Sequence, residues 1–371
     1  MKNTLGTGLA VTLFGESHGE MIGAVLDGLS PGIRVDESYI ADRLAQRRPF
    51  GRISTSRVEA DPFRIVSGVL NGRTTGSPLC ILIPNQDMDS DAYEPLCDLP
   101  RPGHADYAAR CKYHAFEDPR GGGHFSGRIT AALVAAGAVV RCALDTRGIA
   151  IATHIAQLGD ICDRPFRESP EQDMAVLDRE VFAALSEEAR EAMIRTIEQA
   201  AADNDSVGGV LETIVSGVPA GIGEPWFDTL EGMLAHGLFS IPGVKGLQFG
   251  AGFDLVCARG SAFNDAFCMD GDRIRTKTNH SGGINGGISN GMPLLFRTAV
   301  RPTPSIARPQ NTVDLGTMQE KALTIEGRHD PAIIHRVRAV VDAVTALVLG
   351  DALTIRYGSD YLGDHHGDEQ E

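Results

Sequence analysis

The sequence predicts a mixed α/β (α+β) fold. Short apolar runs that fit strands, among them residues 9–14 (LAVTLF), 22–28 (IGAVLDG) and 293–300 (PLLFRTAV), are separated by glycine-rich turns. Two longer stretches fit helices. One runs from Gly127 to about Ala143 and is alanine-rich and apolar on every face, so it is expected to be buried on all sides. The other follows Pro331 and carries Ile333, Ile334, Val337, Val340, Val341, Val344 and Leu347 on a broad apolar face. No repeat and no boundary divides the chain. Residues 1–355 therefore read as one domain, and the acidic residues 356–371 as a disordered C-terminal tail.

The elements follow in order. LAVTLF stops at GESHGE, a polar turn that sets His18 between two strands. Asp36 is placed to cap a helix that runs to about Arg48 and stops at Pro49. Arg43, Arg47, Arg48, Arg52 and Arg57 crowd this stretch, and fit either a solvated basic face or a wall that binds an anion. Residues 63–83 alternate strand-like runs around NGRTTGSP, and 85–100 read as an acidic loop. Residues 160–204 form an acidic helical region of structural character, with helix starts near Ser169 and at Ser186. Residues 207–218 fit a strand. Asp228 with Glu231 fits a capping box for a helix through Leu238. VKGLQFGAGFDLVCARGS reads as strands with glycine breaks, and NHSGGINGGISNG as a loop that lets backbone approach a ligand. Asp330 before Pro331 has the form of a helix cap and first helical position.

Composition removes several classes of function. A net charge of −15 argues against a nucleic-acid or anionic-membrane surface. Seven scattered cysteines without ligand spacing indicate neither a disulfide framework nor a metal site. The start of the chain carries no secretion signal, and no unbroken apolar run reaches about 18 residues. These features fit a cytoplasmic protein. The basic residues are mostly arginine, which suits bidentate capture of carboxylate or phosphate.

The densest chemistry lies between Arg101 and Ala131. An Arg-Pro-Gly-His-Ala-Asp turn with His104 precedes three glycines and His124, and the glycines open onto the apolar helix. Histidines beside free backbone N–H groups at a helix start suit proton chemistry on an anionic ligand. Nucleotide, serine-hydrolase and zinc-protease motifs are missing from the sequence. The residues alone point to an enzyme acting on a phosphorylated or polycarboxylated small molecule.

The motifs together resemble the chorismate synthase family. GESHGEMIGAVLDGLSPG, RPGHADYAARCKY, GGGHFSGRITAALVAAGA and GRHDPAIIHRV stand in that family's order and spacing. SGVPAGIGEP, VKGLQFGAGFD, NHSGGINGGIS and RPTPSI also resemble it, so the similarity reaches about residue 355. The resemblance implies a catalytic domain with long central helices sandwiched between antiparallel sheets, assembled as a homotetramer. It implies a lyase of the shikimate pathway serving aromatic amino-acid biosynthesis. That lyase converts 5-enolpyruvylshikimate 3-phosphate to chorismate by anti-1,4 elimination of phosphate and requires reduced FMN (FMNH2). Some members reduce the flavin with NADPH; no added domain for this is present here, so an external flavin reductant is expected.

The resemblance also assigns roles. His18 matches the histidine that protonates the departing phosphate, His104 the one that protonates reduced flavin, and Asp330 the aspartate that helps remove the ring proton. Arg47 and Arg52 match substrate arginines, with Arg48 sharing the work. Flavin contacts fall at His124, Phe125, Ser126, Pro242, Gly243, Gly286, Arg301, Pro302, Thr303, Pro304, Ser305 and Arg328. Many members carry arginine in place of His124 and lysine in place of Arg301. Two rival readings stand beside this one. Arg328-His329 suggests a phosphatase with a histidine nucleophile, and the same motifs could serve a binding protein that has lost catalysis.

Overall fold

The computed structural model describes residues 2–54, 60–86, 98–325 and 329–364. Its strands come in chain order. The first set is β1 Thr4–Leu5, β2 Ala10–Gly15, β3 Met21–Asp27, β4 Arg64–Ser67, the small hairpin β5 Val69–Leu70 with β6 Arg73–Thr74, and β7 Leu79–Pro84. They form an antiparallel sheet in the order β1-β2-β3-β7-β4, with the hairpin apart. Alternation explains the sheet's inner face: Leu79, Ile81 and Ile83 of β7 are each fully buried while their neighbours are half-buried.

The second set is β8 Ala150–Leu158, β9 Ile161–Cys162, β10 Gly209–Ser216, β11 Val244–Phe249, the hairpins β12 Phe267–Asp270 with β13 Arg273–Thr276 and β14 Ile284–Asn285 with β15 Ile288–Ser289, then β16 Leu294–Val300. Its main sheet runs β11-β16-β10-β8-β9, again antiparallel. A last hairpin joins β17 Gln310–Asp314 to β18 Gln319–Leu323.

The helices are α1 Glu37–Gln46, α2 Asp106–Tyr113, α3 Thr130–Thr146, α4 Glu171–Leu177, α5 Glu187–Ala202, α6 Leu230–Leu238, α7 Gly260–Phe263 and α8 Ile334–Tyr357. α3 packs on β3 and β7, α8 packs on β8 and β10, and the two helices pack on each other. The layers are therefore sheet, α3, α8, sheet, which is the sandwich the family resemblance implies. The stretch Gly127–Thr146 is long and apolar enough to cross a membrane, but it is enclosed between the sheets. The two helices touch backbone to backbone at Gly137, where a β-carbon would meet the Ala343 backbone.

α8 carries charges into this interior, and two of its carboxylates are saturated there. Asp342 accepts from Thr153 Oγ1 at 2.6 Å and pairs with Arg141 at 3.1 Å. Asp351 accepts the backbone N–H groups of Thr7, Gly8 and Leu9 at 3.0, 2.7 and 3.0 Å, holding the first sheet's edge to the last helix. A buried carboxylate needs this kind of saturation.

Several sequence expectations change. Asp36 does cap α1, accepting from the N–H groups of Ser38 and Tyr39. The cap of α6 is Thr229, not Asp228, because Thr229 Oγ1 accepts from Gly232 N. Residues 252–263 form helical turns, not strands. Asp330 does not cap α8, which starts at Ile334 without a side-chain cap. The tail expected to be disordered from 356 is packed as far as 364. Leu362 is buried, Tyr361 stacks on Tyr357, and Arg147 donates to Gly363 O at 2.7 Å. Residues 365–371 lie outside the described residues. The acidic region proves to be a cover: α4 packs on the outer face of β8, where Met174 and Leu177 meet Ala152 and Ile214.

Candidate active site

The glycine loop before α3 is built from backbone that other residues rarely adopt. Gly121, Gly122 and Gly123 have φ of 59, 84 and 52°. Gly121 lies against His18, where a β-carbon would overlap the imidazole and Ser17 Oγ. A β-carbon on Gly122 would sit 3.2 Å from His104 Cε1 and 3.4 Å from Nε2. Two adjacent residues therefore face the two histidines that the sequence singles out.

Each histidine is oriented by a neighbour. Ser17 Oγ donates to Arg120 O at 3.2 Å, so the 2.9 Å contact between Ser17 Oγ and His18 Nδ1 has Nδ1–H donating. His104 Nδ1 lies 2.5 Å from Asp106 Oδ1, and a carboxylate only accepts, which puts the proton on Nδ1. Arg101 grips Asp106 with Nε and Nη2, both at 2.8 Å, and lies along the His104 ring edge. Burial pushes the Asp106 carboxyl up, but the Arg101 and His104 hydrogen bonds outweigh it and hold it well below the usual range. Asp118, under the same loop, is held low by its bond to Arg120, with the nearby His18 adding to the effect.

His124 is tied inward. Its Nδ1 donates to Gly15 O at 2.8 Å and pins the glycine loop to the end of β2. Phe125 is partly exposed and edge-on to Tyr113, and Ser126 accepts from Arg128 N. A cleft opens here, lined by Arg101, Asp106, Asp118, Gly122 and Phe125.

A chain of contacts leads from His104 to Asp330. Arg301 Nη1 donates to Gly103 O at 2.6 Å, next to His104. Arg301 N donates to Gly243 O at 2.9 Å, and Gly243, following Pro242, lies against Ile333. Thr303 O accepts from Ser206 Oγ at 2.7 Å, and Val207 N donates to Pro331 O at 2.9 Å. Pro302 lies against Gly208, Pro304 O accepts from Gln310, and Ser305 is buried. Asp330 Oδ2 is 2.5 Å from Arg336 Nη1, and Arg336 Nε donates to Arg47 O at 2.8 Å.

The predicted arginines do not make a single wall. Arg43 pairs with Asp178 at 2.5 Å. Arg47 is almost fully buried, donating to Asp61 at 3.1 Å and Thr130 Oγ1 at 3.0 Å. Arg48 donates to Ala60 O, and Arg52 is exposed. Asp61 also accepts from Arg128, so one buried carboxylate serves two guanidinium groups. Arg57 and Arg328 lie outside the described residues. Gly286 sits in the β14–β15 turn, and the contacts of that hairpin join it to Ile222, Glu224 and Leu230, not to the glycine loop.

Sequence reasoning missed Asp61, Asp106, Arg101, Arg128 and Arg336. Asp106 had a signal, two residues after His104 in the same turn. Asp61 had none, since no motif surrounds it and its partners Arg47 and Arg128 lie 14 and 67 residues away.

The residues also fit a polar cofactor. Thr303 Oγ1 is buried without a hydrogen-bond partner among the described residues, which suits a group bringing acceptors of its own. Phe125 offers an aromatic edge, and Gly122, with no side chain, brings backbone close to His104.

Comparison with known proteins agrees. The family model for chorismate synthase matches residues 9–354. A chorismate synthase of Dehalococcoides mccartyi is 45% identical over 360 residues, covering 96% of this chain and 98% of that protein. One of Thermococcus kodakarensis is 43% identical, covering 94% and 96%. A crystal structure of chorismate synthase superimposes with a TM-score of 0.76 at 27% identity, covering 96% of this chain and 94% of that one. Architecture and comparisons together define a carbon–oxygen lyase. The chain belongs to the chorismate synthase family.

Proposed function

We propose that this enzyme eliminates phosphate from 5-enolpyruvylshikimate 3-phosphate to give chorismate, with reduced FMN as the required cofactor. The observation that carries the reading is the placement of Gly121 and Gly122 against His18 and His104, with Asp330 linked to the same cluster through Arg301, Gly243 and Arg336. An elimination needs an acid for the leaving group and a base for the proton, on a path that backbone can approach closely.

In this reading His18, fixed through Nδ1 by Ser17, delivers a proton to the departing phosphate. His104 holds its Nδ1 proton against Asp106 and turns its other edge toward Gly122. Asp330 accepts the ring proton, and Arg336 steadies its carboxylate. Reduced FMN, when bound, would supply transient electron density to the elimination with no net redox change. Phe125, Ser126, Arg301 and Thr303 would hold the cofactor. Arg47, Arg48 and Arg52 would hold the substrate anions, Arg47 after exchanging its bond to Asp61. The homotetramer and the cytoplasmic setting belong to the same proposal, supported by family membership, and an external flavin reductant in place of NADPH completes it.

The test is an anaerobic assay with 5-enolpyruvylshikimate 3-phosphate, with and without chemically reduced FMN. Equal amounts of chorismate and phosphate, formed only with reduced flavin, are expected. Phosphate without chorismate would instead support a phosphatase.

A further inference from the structure

His335 belongs to the GRHDPAIIHRV motif, yet the proposed chemistry gives it no task. It is 1% exposed, at the start of α8 and five residues from Asp330. Its Nε2 lies 2.7 Å from Ser54 Oγ. Phe182, from the acidic cover, stacks on its ring at 6.2 Å.

The tautomer follows from the burial. Nδ1 has no hydrogen-bond partner among the described residues. A buried donor without an acceptor is more costly than a buried lone pair without a donor, so the single N–H of the neutral ring sits on Nε2 and donates to Ser54. Burial lowers the imidazole's affinity for a proton to a pKa of about 4; Arg336 adds to this and Asp330 opposes it. His335 is therefore a fixed neutral donor and not an acid or base near neutral pH.

The neighbouring residue does the matching job. Arg336 Nε donates to Arg47 O, so Arg336 holds one end of the segment 47–54 and His335 holds the other. That segment carries Arg47, Arg48 and Arg52. Arg336 also binds Asp330.

We propose that His335 is a positioning residue for substrate: with Arg336 it clamps both ends of the arginine segment to the first turn of α8, beside Asp330. The proposal rests on the substrate reading of these arginines given above. The clamp holds the anion-binding residues of the segment in place, and it does so from one rigid helical turn.

The experiment compares Ser54→Ala, His335→Leu, the double variant and His335→Gln, whose amide can donate from the same place. Steady-state kinetics with reduced FMN give KM and kcat, and calorimetry with oxidised FMN gives the dissociation constant for 5-enolpyruvylshikimate 3-phosphate. Each single variant should weaken substrate binding about tenfold, the ordinary worth of one buried hydrogen bond. The turnover number should stay within about twofold, the double variant should bind no worse than the weaker single, and His335→Gln should recover most of the affinity. A merely structural histidine would lower the melting temperature and leave KM unchanged, which would overturn the clamp. If His335→Leu does not fold, Ser54→Ala alone decides between these results. Arg47→Ala and Arg52→Ala serve as controls. Unchanged binding in both would overturn the substrate reading itself, whereas weakened binding there with normal Ser54→Ala would overturn the clamp alone.

Discussion

Gly121 and His18 occupy adjoining space with no room for a single carbon between them. A β-carbon at Gly121 would overlap His18 Cε1 and Nδ1 as well as Ser17 Oγ, and the backbone there has a φ of 59°. The glycine is the wall against which the histidine is oriented.

Gly121→Ala should therefore displace His18. Turnover is expected to fall by on the order of 10²-fold, the worth of a well-placed general acid. The left-handed backbone adds about 1–2 kcal/mol of strain. Gly127→Ala is the control: nothing lies within 4 Å of its β-carbon position, so activity should be kept. Equal activity in the two variants would refute the assigned packing.

Asp106→Asn should release His104 from one tautomer. The amide can donate as well as accept, so the proton is no longer held on Nδ1. Turnover should fall by about 10²-fold. Nitrogen-15 spectra of the imidazole should show a mixed Nδ1–H and Nε2–H population where the parent shows one.

Asp330→Asn should leave the start of α8 intact, because Asp330 is not its cap. Far-ultraviolet dichroism should not change. The lost charge on the Arg336 bond is expected to reduce stability by about 1.5–3 kcal/mol, and activity should fall by 10²-fold or more, on the order of a lost general base. An active, folded variant would remove Asp330 from the chemistry.

The outer face of the second sheet makes stability depend on pH. Burial works against a proton on His154, but its bonds to Asp163 and Glu212 outweigh this and raise its pKa. The stability it contributes is full below the ordinary histidine pKa and is lost as pH rises through the raised value. Burial opposes the charge on Asp163 and Glu212 too, yet their bonds to His154 hold both low, Asp163 at about 2. Their contribution is present above the ordinary carboxylate range and is lost as pH falls toward that value. The melting temperature should be highest between roughly pH 5 and 6.5 and decline above it. His154→Gln should flatten the alkaline side; a decline unchanged by that substitution would place its origin elsewhere.

The fold was legible where period and turn chemistry act alone. β2, β3, β7 and α3 follow from apolar spacing, and Asp36 does what a cap residue before a helix should do. The failures came where local form had two uses. Asp330 before Pro331 looks like a cap, but its carboxylate goes to Arg336 three residues inside the true helix boundary. Asp228 looks like a cap beside Thr229, and the hydroxyl reaches Gly232 N instead. Of the site, the histidines and glycines were visible because they cluster in sequence. Asp61 and Arg336 were not: Asp61 meets Arg47 and Arg128 only through tertiary packing, and Arg336, six residues from Asp330, had only a helix position to mark it. Leu362 is one apolar residue among polar ones, too little pattern to show that it is buried.

Asp351 and the amides of Thr7, Gly8 and Leu9 are up to 344 residues apart in sequence. A ribosome adding about 5–20 residues per second needs roughly 20–70 s to supply the acceptor after the donors have emerged. α3 likewise waits for α8 to cover its second side. The sandwich can close only when synthesis is nearly over, so a nascent chain halted before Ile334 carries an uncovered alanine-rich helix and a sheet edge with no carboxylate to hold it.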